Sequence, residues 1–441
     1  MTQEQCGAWQ RNAEEAGKLA VVVGAGRSGL AAARLLRKRG ARVRLLESNA
    51  KALDAVAQEN LRRDGIEVLT GEHREAFFGG ASLVVPSPAL PVARLREMMG
   101  AWAHDPQCRI LSEMELAWRC LDGETVLAVT GTSGKTTTVS LMAAMLRQAG
   151  RRVFLGGNIG TPLSEYLLAG RKADVLVLEV SSFQLQGCTT FRPHVGVILN
   201  ISPNHLDYHK DMDEYTEAKF RLFQCQTEDD IAILHEDLRP LAASFGLRAR
   251  QIFLPDVCAP RFPGSRLLGR HNRFNEEAAW QACRAVGVSE ADAAAAVAAF
   301  QPLPHRLEQV GMHHGVLYVN DSKCTTVSAL RVALEAFAQP VRLLCGGKYK
   351  GGDLEALLPL LQRHVKEVAL FGGSREYFEN AWKGSVPLHW HEYLKDAVQA
   401  LAATAERGDV VLLAPATSSF DQYASYARRG EDFRRIVGDL A

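Results

Sequence analysis

Residues 125–150 read TVLAVTGTSGKTTTVSLMAAMLRQAG. An apolar strand pattern runs into a glycine turn, then Lys-Thr-Thr, then a long helix pattern. Glycines let backbone N–H groups turn inward on phosphate oxygens, and the helix start adds partial positive charge. The stretch therefore reads as a phosphate loop formed by Gly131, Thr132, Ser133, Gly134, Lys135, Thr136 and Thr137. Lys135 is expected at the terminal phosphates and Thr136 at a Mg²⁺ ion. The strict eight-residue pattern fails, because Val129 stands where its first glycine belongs. This is a shorter G-x-x-G-K-T form, and the plainer alternative is a glycine turn beside a surface lysine.

Outward from this loop, strand and helix patterns alternate along the whole chain, which predicts α/β layers with mainly parallel sheets. Apolar strand candidates follow at 174–180, 195–200 and 231–234, and then at 316–321, 341–347, 367–373 and 410–416. The stretch 300–310, FQPLPHRLEQV, carries two prolines and reads as a linker. Three α/β domains are expected: a Rossmann-like one over 1–111, a central phosphate-loop ATPase domain over 112–302, and a Rossmann-like one over 303–441.

A Mg²⁺-nucleotide site also needs carboxylates at neighbouring strand ends. Glu179 closes the apolar run DVLVLEV, and in a parallel sheet that end lies on the same edge as the phosphate loop. The run VGVILN leads on to His205, a candidate ligand for a second divalent ion. His205 and His209 are spaced i, i+4 as in a zinc protease, but Leu206 stands where that motif needs glutamate.

The first domain opens LAVVVGAGRSGL at 19–30. Gly24, Gly26 and Gly29 form G-x-G-x-x-G, and Glu47 ends the next strand about 20 residues on, as in dinucleotide sites. Taken alone, this suggests an NAD-dependent dehydrogenase. The chain, however, already has a separate nucleotide loop at 130–138, so the first domain is expected to hold a different diphosphate, with Arg27 and Ser28 at the helix entry.

Composition narrows the field. In 441 residues, 51 Lys plus Arg nearly equal 50 Asp plus Glu, so no global field favours nucleic acid. The nine cysteines contain no C-x-x-C pair, which fits a reducing compartment better than a disulfide framework or a zinc finger. The polar N-terminus has no signal-peptide pattern, and no apolar run approaches the roughly 20 residues of a membrane span. A cytoplasmic, monomeric enzyme is expected.

The motif series resembles the Mur ligases, ATP-dependent amide-forming enzymes of peptidoglycan precursor synthesis, over nearly the whole chain. The phosphate loop, GGNIGTP (156–162), EVSSFQL (179–185), RHNRFNEEAA (270–279), LPHRLEQV (303–310), NDSKCTT (320–326) and LLAPATSSFDQYASYARRGEDF (412–433) stand in the family order. GGNIGTP and EVSSFQL most resemble those of the branch that adds D-glutamate to UDP-N-acetylmuramoyl-L-alanine. The resemblance implies that ATP phosphorylates the donor carboxylate and that the amine of D-glutamate displaces phosphate from the acyl phosphate. A ligase with another amino-acid acceptor or another sugar-peptide donor is the alternative within the family.

The resemblance also implies roles for single residues. Asn272 and Asn275, otherwise readable as helix-start caps, become ATP-site residues together with Arg306 and Asp321. Lys323 joins Lys135, Lys219 and His205 as catalytic. Lys219 becomes the site of a CO2-derived carbamate that, with Thr136, Glu179 and His205, holds a pair of Mg²⁺ ions. Asn158, Ser181 and Gln184 join Arg27, Ser28 and Glu47 on the UDP-sugar. Thr325, Lys350, Ser419 and Tyr426 take the two carboxylates of the incoming amino acid. Asn49, Ala89 and Asn204 depart from the usual family residues.

Overall fold

A computed structural model describes residues 14–440 apart from 171, 206, 207 and 257. The fold class is the expected one, α/β with parallel sheets. The chain divides into two compact units, one of Met1–Asp256 with Asn275–Val297 and the other of Val257–Phe274 with Ala298–Ala441.

The first unit carries two sheets. The first comprises β1 (Leu19–Val23), β2 (Arg42–Glu47), β3 (Ile66–Thr70), β4 (Ala81–Pro86) and β5 (Arg109–Ile110), in the order β3-β2-β1-β4-β5. All its pairings are parallel. β1 is apolar at every position and buried throughout, as a strand covered on both faces must be. The chain reverses direction across the sheet between β1 and β4, which leaves a crevice at their carboxyl ends. The Arg27–Lys38 helix leaves β1 there, burying Ala31, Ala32, Leu35 and Leu36 and ending on Arg37 and Lys38, which complement its dipole.

The second sheet comprises β6 (Thr125–Thr130), β7 (Val153–Gly157), β8 (Val175–Glu179), β9 (Val195–Ile198), β10 (Ile231–His235) and β11 (Arg250–Leu254). Its order is β11-β10-β9-β6-β8-β7. β6 lies between β9 and β8, so the loops leaving these three strands share one edge. One continuous core joins the two sheets, from Ala20, Val22 and Leu36 through Met114 to Ala128 and Leu178.

The second unit holds β12 (Glu308–His313), β13 (Val316–Asn320), β14 (Val341–Gly346), β15 (Val365–Phe371), β16 (Leu388–His391) and β17 (Val410–Leu413), in the order β12-β13-β17-β14-β15-β16. Only the β12–β13 pairing is antiparallel. The stretch expected to be wholly linker thus enters the sheet at Glu308. Because β13, β17 and β14 are neighbours, the loops at 321–326, 414–420 and 347–352 emerge side by side.

Candidate active site

The phosphate loop closes between β6 and the Lys135–Gln148 helix. Gly134 takes φ 85°, and a Cβ there would lie 2.5 Å from Asn275 Oδ1, so glycine is required by both the turn and the close approach of Asn275. Residues beyond β9 brace the loop. Asn200 Oδ1 accepts the Ser133 N–H at 2.9 Å, and its carbonyl accepts the Thr132 N–H at 3.0 Å. The Thr132 hydroxyl lies 3.0 Å from the Tyr215 hydroxyl. Lys135 folds back over the loop, with Nζ donating to the carbonyls of Gly131 (2.8 Å) and Thr132 (3.1 Å).

Glu179 ends β8 beside this loop and is buried. Its Oε2 accepts the Thr136 hydroxyl at 2.8 Å, and its Oε1 accepts the Asn158 amide at 2.8 Å. Three residues singled out separately in the sequence therefore form one hydrogen-bonded chain. Among the described residues no group of three or more His, Cys, Asp or Glu side chains is gathered as for a metal. A Mg²⁺ ion arriving with nucleotide needs no such cage, since it takes phosphate, water and one or two protein oxygens. The Thr136 hydroxyl and the Glu179 carboxylate are hard oxygen donors that fit it.

Lys219 sits on the Met212–Phe220 helix and is 2 % exposed. Its ammonium lies 4.5 Å from the Tyr215 ring centre. Burial, helped by the Lys135 charge, holds it well below the ordinary lysine range. A solvated surface lysine is thereby excluded. His205 is exposed, with φ 56° and its ring 4.8 Å from that of Phe183. His209 is buried, with Nε2 2.9 Å from the Ser182 hydroxyl. The i, i+4 pair thus divides into an outward and an inward histidine.

In the first sheet, Gly29 packs the helix against the glycine turn so closely that a Cβ would lie 2.0 Å from the Gly24 carbonyl. Glu47 folds onto that turn, where its Oε2 accepts the Ala25 N–H at 2.7 Å. A small cleft, with a cavity volume of about 20 Å³, lies between the two sheets of the first unit, lined by Ser28, Pro88, Glu113, Phe183, Gln184 and Tyr208 among others. Ser181 and Gln184 form a capping box at the start of the Ser182–Gln186 helix. Arg27, expected at a diphosphate, turns its guanidinium to Glu165 and the Gly160 carbonyl.

In the second unit, Asn272 donates to the Leu268 carbonyl at 2.7 Å. Asp321 follows β13, and its Oδ1 accepts the Leu307 N–H at 3.3 Å. Asp321 keeps an exposed edge, but its carboxyl is enclosed, and burial pushes it up to about 7 against the pull of the Arg306 charge. Lys323 lies with Nζ 4.0 Å over the Tyr426 ring, and Lys350 is exposed, 5.8 Å from the ring of Phe420. Thr325 is half-buried on the same loop as Lys323, and Ser419 is buried on the loop after β17.

The sequence did not single out what ties these loops together. Arg429 is wholly buried on the Tyr426–Gly438 helix. Its Nε donates to Ser322 Oγ (3.0 Å), and its Nη atoms donate to the carbonyls of Ser322 (3.0 Å), Thr417 (3.1 Å) and Gly346 (3.3 Å). The loop at 346–350 also pairs with that at 417–419, as the Lys348 N–H donates to the Ser418 carbonyl at 2.8 Å. The only sequence signal for this residue is an arginine four positions after an N-cap serine, and helix periodicity alone does not bury it.

The phosphate loop and the strand-end carboxylate beside it have the form of a nucleotide-phosphate site, and comparison with known proteins supplies the class of enzyme. The chain matches the family models for the Mur ligase MurD-like N-terminal domain (18–104), the Mur ligase middle domain (129–249) and the Mur ligase glutamate ligase domain (305–417). It belongs to the Mur ligase family. It is 65% identical, over 96% of its length and 97% of the relative's, to a UDP-N-acetylmuramoylalanine–D-glutamate ligase of Desulfovibrio desulfuricans. It is 58% identical, with the same coverage, to the enzyme of that name from Nitratidesulfovibrio vulgaris. Among solved structures it resembles in fold a MurF ligase of Thermotoga maritima determined with ADP, at TM-score 0.60, 19% identity and full coverage of both chains. Among the described residues no helix is long and apolar enough to cross a membrane.

Proposed function

We propose that the protein is the ATP-dependent, ADP-forming ligase that joins D-glutamate to UDP-N-acetylmuramoyl-L-alanine in peptidoglycan precursor synthesis. The observation that carries this reading is the Thr136–Glu179–Asn158 chain beside the phosphate loop. The choice of acceptor and donor rests on near full-length identity to ligases of that name.

A carboxylate is a poor acyl donor because oxide would have to leave. Transfer of the γ-phosphoryl group to its oxygen gives an acyl phosphate, and attack by the D-glutamate amine then expels phosphate. The protein's contribution is positioning and charge neutralisation. Gly131, Thr132, Ser133, Gly134 and Thr137 offer loop groups to the phosphates, and Lys135 exchanges its two carbonyl partners for phosphate oxygens. Thr136, Glu179 and His205 would hold Mg²⁺, which supplies charge neutralisation on the transferring phosphoryl group. Lys219 would complete a two-ion site as a carbamate, its neutral amine adding to CO2 with loss of one proton. Burial that favours the neutral amine supports this step.

Asn272 and Asn275 serve the rest of ATP, and Arg306, Asp321 and Lys323 serve its terminal phosphates. Ser28, Glu47, Asn158, Ser181 and Gln184 serve the UDP-sugar. Thr325, Lys350, Ser419 and Tyr426 take the acceptor carboxylates, where cations and hydroxyls are required. We assign these duties to residues 1–111 for the UDP-sugar, 112–302 for ATP and 303–441 for the amino acid, in a monomer acting in the cytoplasm.

The test is phosphate release from ATP with UDP-N-acetylmuramoyl-L-alanine and a panel of amino acids. Release with D-glutamate alone is expected. Release with a different amino acid would overturn the acceptor, and no release under any mixture would overturn the ligase.

A further inference from the structure

Arg27 begins the Arg27–Lys38 helix directly after the glycine turn, next to Ser28 in the cleft. A cation at the start of a helix opposes the dipole, so its position there needs another cause. Its guanidinium turns away from the turn towards the second sheet. It grips Glu165 with both sides of the fork, Nε to Oε2 at 2.9 Å and Nη2 to Oε1 at 3.1 Å. Nη1 donates to the Gly160 carbonyl at 2.6 Å, and Nη2 donates to the Thr161 hydroxyl at 3.3 Å. An exposed ion pair is ordinarily weak, but a bidentate fork with two further acceptors is the arrangement that escapes this rule.

What Arg27 grips leads into the site. Gly160 and Thr161 close the turn that presents Asn158, since the Gly157 N–H donates to the Thr161 carbonyl at 2.9 Å. The backbone N–H of Asn158 donates to the Glu179 carbonyl at 2.8 Å, and its side chain donates to the Glu179 carboxylate. A hydrogen-bonded path therefore runs from the glycine turn of the first sheet to the carboxylate beside the phosphate loop. One end of that path adjoins Ser28 in the chain and the other precedes Phe183 and Gln184, and these three residues line the cleft.

We propose that Arg27 is a positioning residue, a latch that sets the two walls of the UDP-sugar cleft by holding Glu165 and the 157–161 turn, and that it does not contact the substrate diphosphate. This rests on the assignment of the cleft to the UDP-sugar. The latch predicts that Arg27 and Glu165 act as one unit, whereas an arginine on the diphosphate would act without Glu165 or compete with it.

The experiment compares Arg27→Ala, Glu165→Ala and the double variant in steady-state phosphate release, varying each substrate in turn. Each single variant is expected to raise KM for UDP-N-acetylmuramoyl-L-alanine about fivefold. The double variant should be no worse than either single one, with kcat and KM for ATP unchanged. A raised KM in Arg27→Ala with a normal or lowered KM in Glu165→Ala would overturn the latch in favour of direct contact. A parental KM in all three, whatever their melting temperatures, would reduce the pair to a surface contact and also overturn it. Amide hydrogen exchange of residues 157–161 in the ligand-free protein reads the latch without turnover. It should quicken in both single variants, and unchanged exchange would count against the latch. If the parent enzyme released no phosphate, the proposed function would fail while the exchange result still stood.

Discussion

Replacing Arg429 by methionine removes the tie between the three loops proposed to receive the amino acid while keeping most of the side-chain volume. Burial draws its guanidinium down from the ordinary arginine range to about 10, so it stays charged at neutral pH. That displacement corresponds to a burial penalty of about 3 kcal/mol. Four bonds from a charged donor oppose it, each contributing about 1.5–3 kcal/mol. The tie therefore wins, and methionine also leaves the Ser322 and Thr417 carbonyls without their guanidinium partner. The Gly346 carbonyl keeps the Thr417 hydroxyl. The expected net loss is about 3 kcal/mol in the second unit. Urea unfolding followed by the fluorescence of Trp382 and Trp390 measures it. In the fraction that remains folded, KM for D-glutamate should rise about tenfold or more, because Ser419, Lys323 and Lys350 stand on loops no longer held in register. Arg429→Lys keeps the charge without the fork and should fall between the two. A methionine variant with parental stability and parental KM for D-glutamate would refute the reasoning. A loss equally repaired by lysine would assign the effect to charge alone.

Lys135→Ala should abolish phosphate release while leaving the fold intact, as judged by an unchanged melting temperature; measurable turnover would remove Lys135 from the chemistry. For Lys219 the sign follows from its lowered value. Between that value and the ordinary 10.5 the unfolded chain holds a proton that the native chain lacks. Stability therefore rises with pH through that window, and the penalty is present in full below it. Lys219→Met in CO2-free buffer should be more stable than the parent at pH 7, with the gap closing towards pH 10.5; a less stable variant at pH 7 would contradict the burial argument. Lys219→Ala should lose turnover and regain part of it with short carboxylic acids, and no recovery would count against the carbamate. Gly29→Ala should lower the unfolding free energy by about 3 kcal/mol through the clash with the Gly24 carbonyl, and a denaturation midpoint near the parent's would show that the helix can shift.

What was legible in the sequence is what local chemistry determines. The loop at 130–138 announces itself because glycine, lysine and threonine must stand at fixed offsets between a strand and a helix. Glu179 follows because a parallel sheet brings its strand end to the same edge. Short edge strands escaped for the converse reason. β7 ends in two glycines, and β16, Leu388–His391, has no apolar run, so neither shows a period before a neighbour supplies its pairing. β12 was hidden inside a proline-containing linker because its residues are only half-buried. The site divides in the same way. Lys219 resembles any helix lysine until packing buries it beside the Tyr215 ring. Arg429 lies in ARRGEDF, where every charge suggests a solvated face. Arg27 stands beside a phosphate-binding turn, so position alone assigned it to phosphate. Its partner Glu165 is 138 residues away in sequence, and only the packing of two sheets makes them neighbours. A residue's type and its offset within a motif thus predict which chemistry is available. Where a charge is directed depends on contacts between elements, and for Arg27 that direction, towards Glu165 and the Gly160 carbonyl, is what supports its proposed place in the frame around the substrate.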